Sequence, residues 1–155
     1  MKKDKINGAI SLTCPDSYSE MGEEELARYF GSAANRWGAH DYDRHIVLSV
    51  GWSKVGLLNK LTDADSFLFG LESRMRRGLL NYQQVCRYKI KIGGKKAVGV
   101  RFEYRVNDSC MVHIADLIAF KYKNQFYTIH FVSRKINAAA SRPELKEILG
   151  SAELS

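Results

Sequence analysis

His113 and His130 are the natural candidates for metal ligation, because a neutral imidazole nitrogen binds Zn²⁺ and related ions. In the strand register derived below, His130 faces Leu117, four residues along the strand from His113. At about 3.3 Å per residue that separation is about 13 Å, too far to share one ion, and no third ligand is in sight. Asp63-x-Asp65 has half the carboxylates of a metal site, but its place at a helix start explains it as capping. Gly93-Gly94-Lys95-Lys96 lacks the spacing of a phosphate-binding loop and leads a strand into a hairpin rather than into a helix. His40-Asp41-Tyr42-Asp43-Arg44-His45 is polar enough to hold a site and reads as a solvated loop. Cys14, Cys86 and Cys110 form no CxxC pair and read as free thiols of a reducing compartment, Cys14 facing the core and Cys86 and Cys110 on an apolar sheet face. No catalytic constellation emerges, and no cofactor is expected.

The strongest chemical feature is charge. The 155-residue chain carries a formal charge of +7. Seven of its cations, Arg87, Lys89, Lys91, Lys95, Lys96, Arg101 and Arg105, fall in one stretch with a single acid, Glu103. Such a run suits a carboxylate-bearing partner or nucleic acid. A nucleic-acid reader interleaves exposed aromatics with its cations. Here Tyr88, Phe102 and Tyr104 are expected to face the opposite, apolar side, so an acidic protein is preferred.

Four strands must position these residues: Tyr82–Ile92, Lys96–Val106, Cys110–Tyr122 and Gln125–Ser133. Gly93-Gly94-Lys95, Asn107-Asp108-Ser109 and Lys123-Asn124 supply the turns. If Gly93-Gly94-Lys95 is a three-residue loop, Ile90, Tyr88 and Cys86 lie opposite Val98, Val100 and Phe102. A two-residue loop would set Lys89 against Val98 and Arg87 against Val100. Three residues at the second turn pair Phe102 with Ile114, and two at the third pair Phe120 with Tyr127. That register gives an apolar face whose only charge is Asp116, opposite Val100. An unpaired buried carboxylate costs several kcal/mol. Asp116 is therefore expected to turn outward at a bulge or to meet an Arg, Lys or Tyr hydroxyl. Arg87, Lys89, Lys91, Arg101 and Arg105 are expected to form one continuous exposed patch, with Gly99 leaving a depression among them and Lys95 and Lys96 extending the charge to the hairpin tip.

Ahead of the meander, Gly8–Thr13 reads as a strand, Glu23–Trp37 as a helix, Arg44–Trp52 as a strand and Asp63–Leu80 as the longest helix. Phe67, Leu68, Leu71, Met75 and Leu79 form that helix's apolar stripe, and Thr62 with Asp65 resembles a capping box. A last helix starts at Ser141-Arg142-Pro143-Glu144 and docks through Leu145, Ile148 and Leu149. The fold class is α+β, with a central antiparallel sheet of about six strands in the order β-α-β-α-β-β-β-β-α. No linker or repeat divides residues 1–155, so one domain is expected. No apolar run spans a bilayer, and the opening Met1-Lys2-Lys3-Asp4-Lys5 precedes no apolar core, so no signal peptide is expected.

This element order, with Leu12-Thr13-Cys14-Pro15-Asp16-Ser17-Tyr18, the Ile92-Gly93-Gly94-Lys95-Lys96-Ala97 hairpin and the closing Ile148-Leu149-Gly150-Ser151, resembles the PsbP/Mog-like superfamily, and within it bacterial DcrB-like domains. The resemblance implies an α/β/α sandwich without enzymatic activity. Relatives include photosystem accessory proteins, a Ran GTPase-binding protein, exported bacterial proteins and chaperones for secreted effectors. No binding residue transfers, since the shared motifs are turns and caps. The expectation is a non-enzymatic adaptor or chaperone-like module of the bacterial cytoplasm, monomer or homodimer, binding an acidic protein through the basic face. The alternative is a nucleic-acid binder using the same face.

Overall fold

The computed structural model describes residues 1–57, 60–106 and 110–155. The chain opens with a hairpin of β1 (Lys2–Ile6) and β2 (Ile10–Cys14), then β3 (Ser19–Glu20), α1 (Glu23–Phe30), β4 (Arg36–Asp41) and β5 (Ile46–Lys54). Next come α2 (Ala64–Gly78) and the meander of β6 (Leu80–Ile92), β7 (Lys95–Arg105), β8 (Val112–Tyr122) and β9 (Gln125–Arg134). A 3-10 turn (Lys135–Asn137) leads into α3 (Ala138–Gly150), and β10 (Glu153–Leu154) closes the chain. Seven strands form the main antiparallel sheet, in the order β3-β4-β5-β9-β8-β7-β6, and β1-β2-β10 form a second sheet. The α+β sandwich expected from the sequence is present, with more strands than expected.

Both faces of the main sheet are covered. On one, α3 and β2 enclose Ile46, Leu48, Ile118, Phe120, Ile129 and Phe131. On the other, Leu68, Phe67, Leu71 and Met75 of α2 pack on Val100, Phe102 and Leu117. The apolar stripe of α2 is the expected one. Its cap is Asp63, whose carboxylate accepts from the Ser66 amide at 2.8 Å, rather than Thr62.

Three expectations are corrected. The first helix ends at Phe30, because Gly31 takes the left-handed cap conformation (φ 80°) and its amide closes on the Ala27 carbonyl. Trp37, expected in that helix, sits in β4 opposite Val50. The last helix starts at Ala138, upstream of Ser141; Ser141 is buried there with its hydroxyl 2.8 Å from that of Ser133.

The largest correction concerns parity. Gly93 (φ 54°) and Gly94 (φ 83°) form a two-residue turn, so Ile92 faces Lys95. Positive φ at both central residues is the geometry whose twist matches a hairpin. Lys89 therefore faces Val98, and Arg87 faces Val100. Across the next connection Phe102 pairs with Ala115 rather than Ile114; the turn residues Asn107-Asp108-Ser109 lie outside the described residues. At the third turn Phe120 pairs with Tyr127, as expected. Strand β7 is thus inverted relative to the expected register. Alternation could not show this, because β8 is apolar on both faces: Ala115, Leu117 and Ala119 meet α2, while Ile118 and Phe120 meet the α3 side.

Candidate functional site

Inverting β7 divides the seven cations. Arg87, Lys89, Lys91 and Lys96 project to the α2 side, and Lys95, Arg101 and Arg105 to the α3 side. The continuous patch expected from the sequence is therefore replaced by two separate sets. Arg87 turns onto α2, pairing with the buried Glu72 and, at 3.0 Å, with Asp65. Glu72 also accepts from Arg76 and from the Tyr82 hydroxyl, at 2.8 and 3.1 Å, so its charge is matched where α2 meets β6. A lone Glu inside a helical apolar stripe was the available signal for this buried cluster.

Arg101 turns inward and meets Asp116. Its Nε and Nη2 donate to the two carboxylate oxygens at 3.2 Å each. Tyr88 donates its hydroxyl at 2.6 Å, and Arg142 of α3 donates to Oδ1. Asp116 has 0 % exposure. It remains in the strand and meets Arg and Tyr partners, one of the two outcomes the sequence allowed. Its cross-strand neighbour is Arg101 and not Val100. Burial first, then the adjacent carboxylate, pushes the Tyr88 phenol far above its usual pKa, so it remains a donor. The expected depression at Gly99 is filled: a Cβ there would lie 2.4 Å from Tyr88 Cζ. Glycine at this position lets the Tyr88 ring cross β7 toward Asp116.

Four lysines remain. Lys89, Lys91, Lys95 and Lys96 are exposed, and none forms an ion pair among the described residues. Lys91 and Lys96 stand directly opposite each other on one face, with Lys89 two positions along β6. Arg105 pairs across from Leu80 at the far end of β7, about 33 Å from Lys95 at strand rise.

Cys14 is buried as expected, whereas Cys86 is half-buried and Cys110 is exposed outside the strand. Among the described residues no three His, Cys, Asp or Glu side chains gather into a metal site. No described helix is long and apolar enough to cross a membrane. His113 and His130 line a groove of about 740 Å³ between α1 and α2, with the sheet as its floor. Burial, with Arg36 adding to it, pushes His130 down to about 4, leaving the ring neutral near pH 7. Burial likewise lowers His113, helped by Arg134 and His45.

No family model matches the chain, and no curated protein matches it in sequence. Solved structures do match. The chain is similar to cyanobacterial PsbP (CyanoP) from Synechocystis sp. PCC 6803 at TM-score 0.70 and 11% identity, over 99% of this chain and 92% of that one. It is similar to the Saccharomyces cerevisiae Ran-binding protein Mog1p at TM-score 0.63 and 10% identity, over 99% and 94% of the two chains. It is also similar to Mycobacterium tuberculosis LpqN, described as involved in cell envelope biogenesis, at TM-score 0.60 and 13% identity, over 94% and 83%. Identities this low carry topology and no site. On the evidence of strand order, covering helices and these matches, the chain has the PsbP/Mog-like fold.

Proposed function

We propose that this chain is a non-enzymatic protein-binding module, an adaptor or chaperone-like protein of the bacterial cytoplasm, possessing a lysine-rich hairpin for an acidic protein. The carrying observation is the Lys91–Lys96 pair, opposed on one face and flanked by Lys89 without a carboxylate among the described residues. Like charges directly opposite in a sheet are destabilising by roughly 0.2–1 kcal/mol. A partner's carboxylates remove that repulsion and form charge-assisted bonds in its place. The fold likeness to a Ran-binding protein supports protein recognition as the class.

Arg87 and Arg101 neutralise Glu72 and Asp116, so recognition rests on Lys89, Lys91, Lys95 and Lys96. Protein is favoured over nucleic acid. The exposed aromatics among the described residues, Tyr29, Tyr42 and Phe69, lie in α1, in the turn after β4 and in α2, and none is in β6 or β7. Stacking platforms beside the lysines are therefore missing.

The test is recovery of partners from nuclease-treated native lysate by the wild-type protein and by the Lys89→Glu/Lys91→Glu/Lys96→Glu variant. The wild type should retain an acidic protein in stoichiometric amount, and the variant should lose it with an unchanged melting temperature. Equal recovery by both proteins would contradict the proposal, and a partner recovered from untreated lysate but not from nuclease-treated lysate would favour nucleic acid.

A further inference from the structure

The groove between α1 and α2 contains a cation that no carboxylate of the described residues neutralises. Arg36 of β4 lies across Gly51, where a Cβ would sit 3.5 Å from its Cζ and 3.1 Å from Thr128 Oγ1. Its guanidinium packs 4.3 Å over the Phe30 ring and donates one long bond, 3.3 Å, to the hydroxyl of the buried Ser49. No carboxylate pairs with it among the described residues, and burial alone depresses its pKa. Arg presents five donors in a planar fork, and a partly desolvated guanidinium with one weak acceptor is costly. Beside it, the buried Nε2 of His130 has no hydrogen-bond partner. A guanidinium that no carboxylate of the described residues neutralises and an imidazole nitrogen without a partner therefore meet at the floor of one groove.

The surroundings are apolar and of ligand size. Leu71, Met75 and Leu79 of α2 form one wall, and Tyr29 and Phe30 of α1 form the other. The volume, about 740 Å³, falls within the usual range of small-molecule sites. Fixed charge at the rim has one sign: Arg28 and Arg134 line it, while Asp41, the acid present, is bound by Arg44 at 2.6 Å. A half-buried guanidinium fits a carboxylate bidentately, and the imidazole Nε2, which has no partner, supplies another contact to it.

We propose that this groove binds a small monocarboxylate with an apolar body, whose carboxylate pairs with Arg36 and His130 and whose body lies between α1 and α2. The site is separate from the lysine hairpin and stands whether or not that hairpin binds protein.

Calorimetric titration of the full chain with decanoate and with naphthoate tests this, using decanol and naphthol as uncharged counterparts. One equivalent of at least one acid should bind saturably; the linear and aromatic arms then define the body the groove prefers. Arg36→Met should weaken that acid about 10–100-fold, the range for losing a bond to a charged group, and change the matching alcohol less than about twofold. The melting temperature of Arg36→Met should not fall, because the substitution removes a half-buried charge that no carboxylate of the described residues matches. A structural role for Arg36 would lower it. Leu71→Trp, which fills the groove, should abolish binding of acid and alcohol alike. The proposal is overturned if neither acid binds, if Arg36→Met binds both acids as wild type does, or if only an acidic amphipathic peptide occupies the groove.

Discussion

Asp116→Ala is the perturbation whose consequence follows most fully from the structure. The carboxylate is at 0 % exposure and receives bonds from Tyr88, Arg101 and Arg142. Arg142 is the vulnerable partner, since its Nε and Nη2 are already buried without acceptors. Removing Asp116 leaves that guanidinium charged and uncompensated under α3. Breaking a buried pair from one side costs about 3–5 kcal/mol. With a urea m-value of about 2 kcal/mol/M for a domain of this size, the unfolding midpoint should fall by about 2 M at unchanged slope. Replacing the whole cluster with apolar residues, as in Asp116→Leu/Arg101→Met/Arg142→Met, should recover most of the loss, because the desolvation cost disappears with the charges. An Asp116→Ala midpoint within the equivalent of about 1 kcal/mol of wild type would refute the reasoning. So would a triple variant as unstable as the single one.

Gly99→Ala should displace the Tyr88 ring from β7 and break its bond to Asp116, costing about 1–3 kcal/mol in the same urea assay; wild-type stability would show that the ring can shift and keep the bond. Burial first, then Asp4 and Glu144, pushes the Cys14 thiol up to about 12. At about pH 8, iodoacetamide should therefore label exposed Cys110 and leave Cys14 untouched until the protein unfolds. His130, lowered to about 4 from 6.5, refuses a proton in the folded state that the unfolded chain accepts. Stability should thus fall as pH drops from about 6.5 to about 5, by ~2 kcal/mol from this group, with its full contribution restored above the unfolded pKa. His130→Gln should flatten that part of the profile, and equal slopes for the two proteins would disprove the assignment.

What the sequence made legible follows from how many physical constraints each element carried. The α2 stripe had periodicity, an N-terminal Asp and length in agreement, and Leu68, Leu71 and Met75 are where the 3.6-residue period puts them. Lys123-Asn124 was a short turn between strands of clear parity, and Phe120 meets Tyr127 accordingly. Asp116 demanded partners by solvation alone, and Arg101, Arg142 and Tyr88 supply them. Strand β7 carried no such constraint. Its neighbour β8 is apolar on both faces, so either register buries a hydrophobic set, and the glycine turn decided the pairing. Trp37 fitted a helical period as well as a strand until Gly31 ended α1. The groove was invisible because Arg36, Thr128 and His130 meet only through the pairing of β4, β5 and β9.

The most direct measurement for the central claim is equilibrium binding of the acidic partner, recovered as described, to Lys91→Glu alongside the melting temperature of that variant. Lys91→Glu converts the Lys91–Lys96 repulsion into a cross-strand attraction within the free protein. Recognition through the lysine hairpin predicts a melting temperature equal to or above that of wild type together with binding weakened at least about tenfold. Unaltered affinity in a protein of unaltered stability would contradict it.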